Sequence, residues 1–131
     1  MVDKVYGHAD VLSVVVPFTY TDFTTAVVEA IAQLPAYAQV VGGDIVISTA
    51  FNYGTSAVLD IGDAADDDRY TATQINLNAA ARTALTVTGY QYTAPTDIIT
   101  TPTLAGTAAT AGAGRITILY TVEGRSNYVG N

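Results

Sequence analysis

The chain has 131 residues, enough to bury one core and too few for two, and its twelve Asp and Glu against five Lys and Arg give a formal net charge of −7. That balance argues against a nucleic-acid partner, because phosphate binding draws on clustered cations that release counterions, and the lack of cysteine excludes a disulfide framework or a thiolate metal site. Half of the residues are hydrophobic and only 13% are charged, with Thr, Ala, Val and Gly recurring, a mixture that suits short strands and tight turns.

The first ten residues, MVDKVYGHAD, hold Lys4, Tyr6 and His8 but too few apolar side chains to form core, so residues 1–10 are expected to be an N-terminal arm. They lack the charged leader and long apolar run of a secretory signal, and VLSVVV is too short to cross a bilayer. No basic amphipathic helix is present to bind an anionic membrane. A mature, soluble protein made in the cytosol is expected.

Residues 11–125 read as one β-sandwich domain. VLSVVVPF is a weak strand, and TAVVEAIAQL is a strand followed by a turn at Pro35, although Val27, Val28, Ile31 and Leu34 also fit a helical spacing. In GGDIVISTAF, Ile45, Ile47, Thr49 and Phe51 share one face. SAVLDIG turns Ala57, Leu59 and Ile61 inward and Asp60 outward, and the intervening NYGT predicts that these two strands form a hairpin.

Weak strands follow at YTATQINL and TDIITTPTL. Between them ALTVTGY places Leu85 and Val87 on one face, with Thr86 and Thr88 on the other. TPTLAGTAATAGAGR reads as a flexible loop, and RITILYTVE is the clearest strand, with Ile116, Ile118, Tyr120 and Val122 inward. Residues 126–131 form a C-terminal tail. Seven or eight short strands without a long helix predict an all-β, single-domain jelly-roll or Greek-key β-sandwich.

The chemistry-bearing candidates are few. DIGDAADDDRY holds Asp60, Asp63, Asp66, Asp67, Asp68 and Arg69. Calcium needs about six converging oxygens, usually from alternating ligands closed by a Glu, and adjacent aspartates in extended chain point in opposite directions. The stretch therefore reads as a solvated turn anchored by Leu59, Ile61 and Tyr70, without metal. His8 has Asp10 nearby but no placed nucleophile, and no G-x-S-x-G occurs. GAGR at 112–115 precedes a strand rather than a helix, so it is a turn and not a phosphate loop. No catalytic or cofactor-binding residue is assigned. Tyrosines at predicted strand ends, Tyr37, Tyr53, Tyr70, Tyr90, Tyr92 and Tyr128, suit the rim of a core or an interface, with rings buried and hydroxyls wet.

The runs LPAYAQVVGGDIVISTAF, SAVLDIGDAADDDRY, AARTALTVTGY and AGAGRITILYTVEGR, which together fall within about residues 30 to 125, resemble the small decoration proteins of tailed-bacteriophage heads. Members of that family share an L-P-A-G-A-x-V-x-G-G opening, a strand ending in G-D-x-x-D-P-D-R-Y, and a closing G-A-G-R strand. Tyr37 stands where the family has Gly, and Asp67 where it has Pro. The resemblance implies a non-enzymatic jelly-roll cement protein, made in the host cytoplasm. It would bind the major capsid protein on the outside of the virion, as a homotrimer or homodimer, and stabilise the head against DNA pressure.

Interface residues are then expected among Lys4, Tyr6, His8, Tyr37, Arg82 and Arg115. Two other readings remain. One is a carbohydrate-binding jelly-roll module or head-fibre base with a sugar platform of Tyr53, Tyr90 and Tyr92. The other is a small hydrolase or isomerase, which needs polar groups converging in a deep pocket.

Overall fold

A computed structural model describes residues 7–126. Eight strands build it: β1 (Leu12–Thr19), β2 (Glu29–Leu34), β3 (Ala38–Thr49), β4 (Ser56–Gly62), β5 (Ile75–Asn76), β6 (Ala81–Ala84), β7 (Thr96–Ala105) and β8 (Ala113–Val122). Sheet I has the order β1-β8-β3-β6 and sheet II the order β2-β7-β4-β5. Strand one pairs with eight, two with seven, three with six and four with five, all antiparallel. That nesting is a jelly roll, one long double ribbon wrapped so that successive ribbon segments alternate between sheets.

Each strand supplies the core through its period of two. Phe18, Val40, Ile45, Ile47, Ile116 and Ile118 from sheet I meet Leu34, Ala57, Leu59, Ile61 and Ile98 from sheet II, all buried. Phe18, Phe23 and Phe51 close one end, with ring centroids 5.3 to 6.2 Å apart. Phe23 reaches that position from a single 3-10 turn, Tyr20–Phe23, where the Thr19 amide donates to Asp22 Oδ2 at 2.7 Å.

Several sequence expectations need correction. The segments around NYGT do not form a hairpin. β3 belongs to sheet I and β4 to sheet II, and NYGT carries the chain across the sandwich, with the Gly54 amide bound to Thr107 O. The hairpin signal was a turn signal, and a turn does not specify whether the outgoing strand stays in the same sheet.

ALTVTGY is not a strand along its length. β6 ends at Ala84; Leu85 is buried but Val87 is 50% exposed, because Thr86 has left the ladder to donate its amide to Tyr70 O. The loop expected over TPTLAGTAATAGAGR is shorter than expected: TPTLA completes β7 and AGR begins β8. Pro102 is tolerated there because β2 stops pairing with β7 at Thr100, so no β2 carbonyl is left waiting for the N–H that proline lacks.

β3 bends through register shifts at Val40/Gly42 and Ile47/Thr49, which turn Val41 and Thr49 outward. At Gly43, with φ 127°, a Cβ would lie 2.1 Å from Thr117 O, so only glycine fits. The chain reaches β3 through Tyr37, whose φ of 65° makes it the sole non-glycine residue in the left-handed region among the described residues.

Candidate functional site

The acidic stretch after β4 is where the chain concentrates charge, and it is not uniformly solvated. Gly62 ends β4 without a side chain, and this lets the loop fold back: a Cβ there would lie 2.2 Å from Asp66 O and 2.5 Å from Asp67 C. The returning backbone forms a tight ring, Asp63 N to Asp66 O at 2.9 Å and Asp66 N to Asp63 O at 3.1 Å.

Asp63, the first carboxylate past the glycine, points inward and is 2% exposed. Its Oδ2 accepts from Arg69 Nε at 2.6 Å and from Tyr92 OH at 2.7 Å. Its Oδ1 accepts from Arg69 Nη2 at 3.3 Å and from the amides of Ala65 and Asp66 at 3.1 and 3.0 Å. Tyr92 spends its proton on Asp63, so the 2.6 Å contact with Tyr70 runs from Tyr70 OH to Tyr92 Oη. Arg69 lies 3.8 Å over the Tyr90 ring, and Tyr90 stands edge-on to Tyr92. The loop is thus pinned by a satisfied buried ion pair roofed with aromatic rings.

Burial pushes the Asp63 carboxyl up, but the hydrogen bonds from Arg69, Tyr92 and the Asp66 amide, with the charge of Arg69, hold it below its ordinary value. The same pair raises Arg69, first through its hydrogen bond to Asp63. Burial raises Tyr70 and, more strongly, Tyr92, which must also keep its proton to donate to Asp63. These shifts stabilise fixed protonation states. They suit structure rather than proton transfer, since a general acid or base works best with a value near ambient pH.

The other carboxylates do face water. Oxygens of Asp66, Asp67 and Asp68 all lie within 4.8 Å of one another, so the turn brings together side chains that an extended strand would have splayed apart. Asp68 is pushed up by its hydrogen bond with Asp66 and then by the like charge there. Asp60, on the outer face of β4, accepts from Gln74 at 3.0 Å and Thr71 at 3.3 Å, tying the far end of the loop back to the sheet.

The tyrosines divide sharply. Tyr53, Tyr70 and Tyr92 are core residues, and the Tyr53 hydroxyl donates to Phe23 O rather than to solvent. A sugar platform of Tyr53, Tyr90 and Tyr92 therefore does not exist: two of its members are buried, and the exposed Tyr90 is inclined at 72° to Tyr92. Among the described tyrosines, Tyr37 and Tyr90 are the exposed pair, at 55% and 44%.

A cleft lies between the edge strands β1 and β2. It measures about 200 Å³, with Val16, Phe18, Phe23 and Ile31 beside two carboxylates, Asp22 and Glu29. Its lining includes no histidine and no serine, threonine or cysteine nucleophile, and Asp22 is occupied by the Thr19 amide.

The expected interface residues do not form one cluster. Lys4 and Tyr6 lie outside the described residues, as do Tyr128 and most of both termini. His8 is exposed ahead of β1. Arg82 on the edge strand β6 pairs with Asp44 at 2.8 Å, and Arg115 on β8 stands in the same cross-strand row, one on each side of Val46. Tyr37 lies at the far end of β8, where Ala38 pairs with Val122.

Sequence reasoning missed Asp63, Tyr70 and Tyr92 as a unit. Its one available signal was a lone Arg69 among five aspartates, with a glycine directly before the first of the loop carboxylates.

Neither a protein family nor a curated protein matches the chain. Solved structures do share its fold. A chain of the cyanophage Pam1 capsid asymmetric unit is similar at TM-score 0.65 and 21% identity, covering 93% of this chain and 91% of that one. A chain of the acidic stable capsid of Helicobacter pylori bacteriophage KHP30 gives 0.64 and 13%, covering 88% and 90%. A chain of the capsid of Ralstonia phage GP4 gives 0.60 and 16%, covering 96% and 93%. Near-complete coverage in both directions establishes that all four chains are built on the same single jelly roll.

Proposed function

We propose that this protein is a non-enzymatic virion component that decorates the outer surface of a tailed-phage head and cements it against internal DNA pressure. The observation that carries the reading is the likeness, over nearly the whole of each chain, to jelly rolls found in three phage capsids. The internal chemistry agrees. The one buried carboxylate among the described residues, Asp63, is spent on holding a loop, and the β1–β2 cleft offers no nucleophile among its lining residues. The partners on this reading are the major capsid protein and further copies of the same chain, assembled after synthesis in the host cytoplasm.

Heads lacking this chain, mixed with the purified protein, test the proposal. Co-sedimentation with the heads and a higher temperature of DNA release are the expected results; protein that stays in the supernatant would overturn it. Deleting residues 1–8 should leave the sandwich folded and weaken attachment, because ordering an arm costs about 1–2 kcal/mol per residue and requires compensating contacts. Full decoration by the truncated chain would move the tether to the body of the sandwich.

A further inference from the structure

Tyr37 is held at φ 65°, a conformation that a bulky side chain adopts at a cost and glycine adopts freely. Among the described residues the ring gains no core packing to offset that cost: it is 55% exposed and lies outside the hydrophobic core. The backbone there is locked, with Tyr37 N donating to Tyr92 O at 2.7 Å and Tyr37 O accepting from the Glu123 amide and the Gln91 side chain. A strained, exposed aromatic residue on a rigid mount is the arrangement expected of an interface anchor.

The end of the sandwich around Tyr37 is acidic. Asp66, Asp67, Asp68, Asp97 and Glu123 are exposed there, against Arg125, while Arg69 is consumed by Asp63. A surface of that charge fits a cationic partner. Among the described residues, the outer face of sheet I carries two arginines. Pro17, Arg115, Val46 and Arg82 run across it as a single cross-strand row, which places the two arginine backbones about 10 Å apart at two strand spacings. Arg82 has Asp44; Arg115 is exposed with no ion pair among the described residues. Beside Arg115 lies a shallow hollow of about 330 Å³ lined by Pro17, Val46, Ser48 and Gly114, with Val15 56% exposed on the same face.

We infer that this hollow receives Tyr37 of a second copy of the chain, its ring against the Arg115 guanidinium and the acidic end of that copy facing Arg115 and Arg82. The chemistry already occurs within one copy, where Arg69 lies 3.8 Å over the Tyr90 ring. Knob and hollow lie at different places on the molecule, roughly 20 Å apart along β8. The contact is therefore head-to-tail, and a symmetric assembly closes it as a ring. The inference rests on the reading of the protein as a self-associating virion component, and it supplies the surfaces.

Light scattering across a concentration series tests it on the full chain. The wild type should run as a multiple of 13.6 kDa. Tyr37→Gly and Arg115→Glu should each raise the dissociation midpoint by about tenfold or more. Adding Asp67→Lys and Asp68→Lys to Arg115→Glu should recover assembly. Tyr37→Gly placed in the monomeric Arg115→Glu background should raise Tm by about 2–4 °C, since strain is removed and no contact is lost, an effect that a residue needed for folding would not give.

A monomeric wild type, unchanged midpoints, failure of the charge swap to restore assembly, or a lower Tm for the double variant would each overturn the contact. Head binding is scored separately. Heads bound normally by a wild-type monomer would reject the contact and keep the cement reading, whereas a wild-type oligomer that obeys the variants but ignores heads would do the reverse.

Discussion

Asp63 and Arg69 illustrate how residue type alone misleads about environment. Five aspartates look equivalent in DIGDAADDDRY, yet Asp63 is 2% exposed and accepts five hydrogen bonds while Asp67 and Asp68 face water. Breaking a buried pair strands its partner, so Asp63→Ala should cost about 3–5 kcal/mol in urea unfolding, with Arg69 left in a site that no longer neutralises it. Replacing Asp66, Asp67 and Asp68 together by Asn should move Tm little, with or without chelator, because exposed carboxylates contribute little to folding. A large chelator-dependent fall in the unmodified protein would instead assign a metal to the turn.

The pH dependence follows from the direction of the Asp63 shift. The folded carboxyl ionises below the ordinary Asp value of about 3.9, so as pH falls the unfolded chain takes up the proton first. The stabilisation from Asp63 is complete above that value and is lost as pH drops through the folded one. Asp68, whose carboxyl is raised, acts in the opposite sense, and acid relieves its repulsion. Urea midpoints measured from pH 6 down to pH 2 should show an acid limb that Asp63→Asn flattens; an unchanged limb would show that other carboxylates control acid stability.

Among the elements, those with strict alternation were legible and those set by long-range pairing were not. β8 and the inward set Ala57, Leu59, Ile61 of β4 follow directly from period two, since a half-buried strand must alternate. β5, only two residues long, and β6, exposed throughout, carry no such signal, and the sheet crossing at NYGT depends on partners far along the chain. The resemblance to head decoration proteins pointed to the jelly-roll order that the pairing of strands one with eight through four with five displays.

The candidate site was half legible. Its turn and its flanking anchors Leu59, Ile61 and Tyr70 were readable, but which aspartate turns inward depends on Tyr92, a residue twenty-nine positions on. At this scale Gly62→Ala is the sharpest perturbation. A methyl group 2.2 Å from the Asp66 carbonyl must lift the loop off β4. A loss of about 2 kcal/mol or more is expected, with faster exchange of the Ala65 and Asp66 amides. Protection equal to the wild type would mean that the loop is held by the ion pair alone.

As a whole molecule, the protein is one jelly roll whose edge strands β1 and β2 flank a cleft of mixed apolar and acidic lining and whose charge is uneven: acidic at the Tyr37 end, with Arg115 exposed on the outer face of sheet I. On the proposed reading, uneven charge and uncovered strand edges are met by assembly, for which a shell offers many equivalent places. The proposed attachment is to the outside of a phage head. A density map of heads lacking this chain, recorded after incubation with the purified protein, tests it most directly. Added jelly-roll density on the outer surface, bridging neighbouring capsid subunits, is the expected result; a bare outer surface, or density confined to the interior or the tail, would contradict the proposed attachment.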